Sequence, residues 1–205
     1  MNFRTFRSTF KDFPVFSFDE VRKLFPTFSR IQLNRWQKDG LIKKIVKKYY
    51  YFTDEEVNEH LLFLMANTIY HPSYVSYEMA LNYYDFIPEG VFIITSATSR
   101  HTYKFSTEII TFLYRKIRSD LFWGYDLINY KNYSFKIADP EKTLLDYFYL
   151  HPELKDFDDF EGMRVNVDIV NEEIDVDKFK SYLDAFKNKN LTKRMNTFLK
   201  FLKNA

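Results

Sequence analysis

Twice in the first 32 residues a serine is followed three places later by Glu or Gln, and this pair of helix starts, closed by a glycine and a change of hydrophobic period, constrains the fold more than any other feature of the chain. At Ser17 with Glu20 the hydroxyl and the carboxylate each satisfy a backbone N–H that the first helical turn leaves without a partner. The short helix that follows, through Val21, Leu24 and Phe25, stops at Pro26. At Ser29 with Gln32 the same signature predicts a helix over Ser29 to Asp39, with Leu33 and Trp36 turned inward and Arg30, Gln32, Asn34, Arg35 and Lys38 outward. Gly40 ends it, and the period then changes. Leu41-Ile42 with Ile45-Val46, and Tyr49 to Phe52, are β-prone runs joined at Lys47-Lys48, which predicts a hairpin. Upstream, Phe3, Phe6, Phe10 and Phe13 recur at helical spacing before Pro14. Helix, helix, turn, helix, hairpin is the order of a winged helix-turn-helix.

Charge divides the chain at the same place. Residues 1–52 hold 12 Lys and Arg against 4 Asp and Glu, a net of +8, so the remainder carries −6 of the overall +2. A basic module on an acidic remainder predicts a polyanion partner for the first part and a different partner for the second. Arg, Gln and Asn on an exposed helix match guanine and adenine edges in a major groove, while the wing residues Lys43, Lys44, Lys47 and Lys48 are placed for phosphates. The expected DNA-binding set is therefore Ser29, Arg30, Gln32, Asn34, Arg35, Lys38, Lys43, Lys44, Lys47 and Lys48. A basic helix and hairpin that binds protein is the competing reading, and Lys-Lys departs from the Asn-Gly or Asp-Gly that suits a tight hairpin turn.

The 205 residues suffice for one or two domains, here expected over 1–56 and 57–205. Only four Gly interrupt a chain that is 20% aromatic, so long regular elements and an α+β, mainly helical fold are expected. Cysteine is absent, which excludes disulfides and thiolate metal sites. Arg4, Arg7 and Lys11 break any apolar leader, and the longest uncharged run, His60 to Tyr77, is too polar to span a bilayer, so a cytoplasmic protein with no membrane partner is expected.

In the middle of the chain Asp54 to Glu56 are expected to start a helix through Leu64 to Thr68, Ser76 to cap another through Met79 to Tyr84, and Val91 to Ile94 to form a buried strand. Three runs here carry a resemblance. They are Tyr74 to Glu89 with Ser76, Ala80-Leu81 and Pro88-Glu89; Ile94-Thr95-Ser96-Ala97-Thr98-Ser99-Arg100 with Tyr103-Lys104-Phe105; and Ala138-Asp139-Pro140-Glu141-Lys142-Thr143-Leu144-Leu145-Asp146. Together with the N-terminal module they resemble the AbiEi family of antitoxins over about Asp19 to Leu154, with Thr143 where the family usually has Ala and Lys47-Lys48 where Gly is common. The resemblance implies an antitoxin of a type IV, abortive-infection toxin–antitoxin system. Its winged helix would repress its own operon by binding operator DNA, and its second domain would counteract a nucleotidyltransferase-type toxin. The motif residues it implies for the second domain are Thr95, Ser96, Arg100, Pro140, Glu141, Lys142 and Asp146. From the residues alone, Asp139-Pro140-Glu141 is a strong helix start in its own right, which makes that motif mostly structural. A stand-alone repressor with a ligand- or protein-binding second domain is the alternative.

Residues 153–177 hold ten acidic against two basic residues, a strip suited to a basic partner protein, and Phe179 to Phe186 and Leu191 to Leu202 predict two C-terminal helices within 178–203. No glycine cradle, nucleophile elbow or metal-ligand spacing of His60, His71, His101 and His151 points to an enzyme, a metal or a cofactor. A divalent ion on Asp139, Glu141 and Asp146 is the one enzymatic rival, and Glu141, pointing away from the other two on a helix, argues against it.

Overall fold

The structure, a computed structural model, describes residues 1–204. It opens with α1 (Phe3–Thr9), started by Asn2, whose side chain accepts from Thr5 N–H at 2.8 Å. Then come β1 (Val15–Ser17), α2 (Phe18–Leu24), α3 (Arg30–Lys38), β2 (Ile42–Val46) and β3 (Tyr49–Phe52). The Ser17–Glu20 capping box forms as the spacing predicts. The Ser29–Gln32 box does not: Ser29 is the N-cap of α3, but its side chain makes no capping bond, and the Gln32 amide donates instead to the carbonyl of Met1. Two residues, Lys47 and Lys48, close the hairpin, with Lys47 in the left-handed region at φ 51° where Gly or Asn is the usual occupant. β1, too short for any periodicity to show, joins this hairpin to give a three-stranded antiparallel sheet of order β1-β3-β2.

Strand alternation gives this sheet two buried faces. Phe16, Ile42, Tyr50 and Phe52 meet Phe6, Phe10, Leu33 and Trp36 of the helices, an aromatic core in which Phe6 lies 4.7 Å from Trp36 and 4.8 Å from Phe10 between ring centroids. Val15, Ile45 and Tyr51 project the other way into a core shared with the rest of the chain. The Asp54–Glu56 segment at the junction is tied by ion pairs: Arg7 reaches Asp54 and Glu55, each at 3.0 Å, and Lys131 also pairs with Glu55. These acids therefore do not start the next helix, as their position predicts; Asn58 does, accepting from Leu61 N–H at 3.0 Å.

That helix is α4 (Glu59–Ile69), and after it come β4 (Ser73–Val75), α5 (Glu78–Tyr83), β5 (Ile93–Thr98), β6 (Tyr103–Ser106), β7 (Thr111–Lys116), β8 (Tyr125–Tyr130) and β9 (Tyr133–Ala138). The six strands form one mixed sheet of order β6-β7-β5-β4-β9-β8, parallel at β5/β7 and β4/β9 and antiparallel elsewhere. The chain closes with α6 (Pro140–Leu150), α7 (Phe157–Gly162), α8 (Val167–Glu173), α9 (Val176–Ala185) and α10 (Lys189–Asn204), so the fold is α+β.

Phe63 and Met65 of α4 cover one face of the large sheet over Ile94, Phe112, Phe135 and Ile137, and Val15, Ile45 and Tyr51 join that layer. Leu144 and Phe148 of α6, Phe179 of α9 and Phe198 of α10 cover the other face over Tyr74, Ala97 and Ala138. The small sheet is thus packed against the larger unit on one side and carries α1 to α3 on the other.

Candidate nucleic-acid interface

α3 buries Leu33 and Trp36 and turns the rest of its surface to solvent, because these two apolar residues are three apart and leave one face free. Arg30 and Asn34, four apart, share a row beside the hairpin. The Arg30 guanidinium rests over the Phe18 ring at 4.8 Å, which holds its long side chain at the start of the helix. Between them lies Ile31, 79% exposed, an apolar side chain that packing does not use.

Arg30 and Asn34 open onto a cleft of about 690 Å3 that also takes in Lys44 of β2, Lys47 and Lys48 of the turn, and Tyr49 and Tyr50 of β3. Its far wall belongs to the larger unit: Tyr70 and His71 at the end of α4, and Arg100 from the turn after β5. Five Lys or Arg residues line the cleft and no Asp or Glu does. Arg100 is fixed by two neighbours, donating to the carbonyl of His71 at 3.2 Å and stacking over Tyr70 at 5.2 Å. Lys47 lies over Tyr103 and Phe105 of β6 at 5.2 and 5.1 Å, so the hairpin tip is anchored to the edge of the large sheet. Lys48 pairs with Asp19, which that ammonium holds below the usual carboxylate range.

The other residues expected to meet DNA are placed differently. Gln32 is half-buried and engaged with Met1, so the amide expected to reach a base edge is occupied within the chain. Arg35 is exposed but faces Asp39 at 3.8 Å, beside the N-terminus and away from the cleft. Lys38 is exposed in the last turn of α3, and Lys43 lies beside Gln37 and residues 106–108 on the other side of the hairpin. Ser29, exposed with its hydroxyl free of the helix, stands at the N-terminal end of α3.

The second-domain motif residues are mostly inside. Thr95 donates to the Ser76 carbonyl at 2.7 Å and accepts from Met79 N–H at 3.0 Å, and the Ser96 hydroxyl is buried without a partner. Both lie within β5, which leaves out Val91 and the 86% exposed Phe92 of the buried strand expected over Val91 to Ile94 and runs on through Thr98, so the polar turn begins only at Ser99. Ser76 is not the N-cap of α5; that place is held by Tyr77 at φ 62°, and the Ser76 hydroxyl reaches Asp146 at 2.9 Å.

Pro140 is the first residue of α6 and Asp139 its N-cap, accepting from Lys142 N–H at 2.8 Å. Lys142 is fully buried, ion-paired with Asp146 and donating to Tyr74 Oη at 2.9 Å, while Tyr74 donates to Asp146 at 2.8 Å. The rings of Tyr74, Trp123 and Phe186 surround its ammonium at 5.2 to 5.3 Å. Burial lowers the Lys142 pKa against the opposing pull of Asp146, and burial likewise raises Tyr74. Gly124, at φ 71°, is required here: a Cβ would come within 3.1 Å of the Lys142 chain and of Tyr182.

Glu141 accepts from Asp175 N–H at 2.8 Å and meets Lys178 at 2.7 Å, and Lys178 also meets Asp139 at 3.2 Å. Asp139 and Glu141 therefore converge on one ammonium while Asp146 turns to another, the reverse of the grouping expected from helical spacing. Burial raises Asp139 above the usual carboxylate range, and the two carboxylates raise Lys178. Among the described residues no group of three or more His, Asp or Glu is placed to hold a metal ion, and no helix is long and apolar enough to cross a membrane.

Part of the acidic strip has a local use. Asp156 and Asp159 form the capping box of α7, and Asp175 caps α9, accepting from Asp177 and Lys178 N–H at 2.9 and 3.1 Å. No protein-family model matches the chain, and no curated protein matches it.

Proposed function

We propose that this protein is a DNA-binding repressor whose residues 1–56 act as a winged helix-turn-helix, with α3 entering a major groove and the β2–β3 hairpin serving as the wing. The observation that carries the reading is the cleft beside α3, where Arg30, Asn34, Lys44, Lys47 and Arg100 converge with no carboxylate among its lining. Arg30 and Asn34 supply the donor patterns that guanine and adenine accept, Ile31 supplies an apolar surface for a thymine methyl, and Lys44 supplies charge for phosphates.

The resemblance of the Thr95 to Arg100 and Asp139 to Asp146 runs to the AbiEi antitoxins supports the further reading that this is the autoregulating antitoxin of a cytoplasmic type IV system, counteracting a nucleotidyltransferase-type toxin through residues 57–205. The burial of Glu141, Lys142 and Asp146 and the place of Pro140 as the first residue of α6 support assigning that motif to the build of the second unit rather than to toxin contact.

Binding to the DNA upstream of its own gene, measured by fluorescence anisotropy at two salt concentrations against unrelated competitor, tests the reading. Specific retention is expected, and Lys44→Ala should weaken all sequences alike and reduce the salt slope by about one. Retention no better than on competitor would make the first 56 residues a protein-binding module. For the antitoxin role, co-expression with the neighbouring gene should relieve that gene's toxicity.

A further inference from the structure

The loop after α6 and the first half of α10 enclose a second concavity, of about 400 Å3, walled by Tyr149, Lys155, Asn188, Lys193, Arg194 and Thr197. Its chemistry differs from an ordinary solvated surface in one respect. Arg194 is only 8% exposed, yet its Nη1 donates only to backbone carbonyls, of His151 at 2.8 Å and Leu154 at 3.2 Å. Among the described residues no carboxylate pairs with Arg194, Lys155 or Lys193. The one acid whose charge acts on Arg194 is Glu153, which is hydrogen-bonded to His151 at 2.7 Å.

Buried charge is costly unless it is compensated, and neutral carbonyls compensate a guanidinium only in part. Three cations therefore face one hollow with no ion-paired carboxylate, Glu153 and Asp159 acting on the Arg194 and Lys155 side chains only through charge at longer range. Asn188 adds a donor: its Oδ1 is taken by Asn190 and Leu191 N–H, each at 3.1 Å, which leaves the amide NH2 free. Tyr149, half-buried and set edge-on to Phe186 with centroids 5.4 Å apart, supplies a fixed aromatic wall.

We propose that this pocket binds a small phosphorylated ligand, its phosphate held by Lys155, Lys193 and Arg194 and its remaining body against Tyr149. A phosphomonoester dianion matches a guanidinium flanked by two ammonium groups. The volume falls within the range of small-ligand sites and exceeds a bare phosphate, which fits a ligand of nucleoside monophosphate size. A DNA backbone fits less well, since it offers singly charged diesters on a convex surface. The inference stands whether or not α3 binds DNA.

Calorimetric titration of the full chain with adenosine 5′-monophosphate and with inorganic phosphate tests it. Saturable one-to-one binding of the nucleotide is expected, with inorganic phosphate competing more weakly. Lys155→Gln with Lys193→Gln, both exposed positions, should weaken it by about tenfold or more. The cleft variant Arg30→Ala with Lys44→Ala should leave it unchanged. Absence of saturable heat at ligand concentrations on the order of millimolar overturns the proposal. So does binding that survives the double lysine change or is lost only in the cleft variant. Loss of DNA affinity in the lysine variant without any nucleotide binding would assign the residues to a phosphodiester surface instead.

Discussion

The molecule holds positive charge in two opposite ways. In the cleft beside α3, Arg30 and Lys44 of the N-terminal module and Arg100 of the larger unit stay in contact with solvent along a lining that holds no carboxylate. Around α6, Lys142 sits four residues from Asp146 in one short motif and is sealed from water by Tyr74, Trp123, Gly124 and Phe186. The compact motif is the more conspicuous in sequence, yet its charges are spent on each other, whereas the scattered cations remain available to a partner. What separates them is the presence of a matching carboxylate within reach, and that is a property of packing.

The contrast can be broken most sharply at Lys142. Lys142→Met leaves the buried Asp146 carboxyl without its ionic partner, so the chain should lose about 3–5 kcal/mol in urea unfolding. Adding Asp146→Leu removes the stranded carboxyl but leaves the buried Tyr74 and Ser76 hydroxyls without their acceptor, so it should recover only part of that loss. A single variant as stable as the parent would mean that the ion pair within α6, and the bonds both its members make to Tyr74 of β4, contribute little to the fold.

Arg30→Ala should behave in the opposite manner, lowering affinity for the upstream DNA by about 1–3 kcal/mol while leaving unfolding unchanged. Arg35→Ala sharpens the point, because it removes the same charge from the same helix but outside the cleft. Its effect on affinity should be clearly smaller; equal losses would mean that net charge, not the cleft, governs binding.

The smallest effects concern the two serine signatures from which the N-terminal fold was read. Ser17→Ala should cost about 1 kcal/mol of stability, since its hydroxyl and Glu20 complete a full capping box. Ser29→Ala should change stability by less than about 0.5 kcal/mol, since no capping bond exists to lose. Thermal unfolding of the two variants side by side distinguishes these.

The legible parts of the fold were those set by local chemistry. Capping at Ser17, the stop at Pro26, the apolar stripe of Leu33 and Trp36 and the strand period after Gly40 are all written within a few residues of where they act. The large sheet was legible only in part at β5, where the strand expected over Val91 to Ile94 overlaps it at Ile93 and Ile94. Strands β6 to β9 are polar and aromatic by turns, and Tyr125 to Tyr130 at the sheet edge carries no clean alternation, because an edge strand can leave both faces partly wet. Gln32 misled for a related reason: its spacing from Ser29 is that of a capping box, and nothing near it announces that Met1, remote in sequence, will take the amide.

By itself, then, the sequence determined the order of helices and hairpin in the first 52 residues, the segregation of charge along the chain, the start of α6 at Asp139-Pro140 and the two C-terminal helices, since caps, periodicity and composition act over a single turn of chain. Tertiary structure alone decided that Arg100 faces α3, that Lys48 is matched by Asp19 and Lys142 by Asp146, that Asp139 and Glu141 share Lys178, and that Arg194 is buried without an acid. Whether a charge is free or neutralised depends on which groups packing brings within a few ångströms, and Coulomb interaction follows distance in space rather than along the chain.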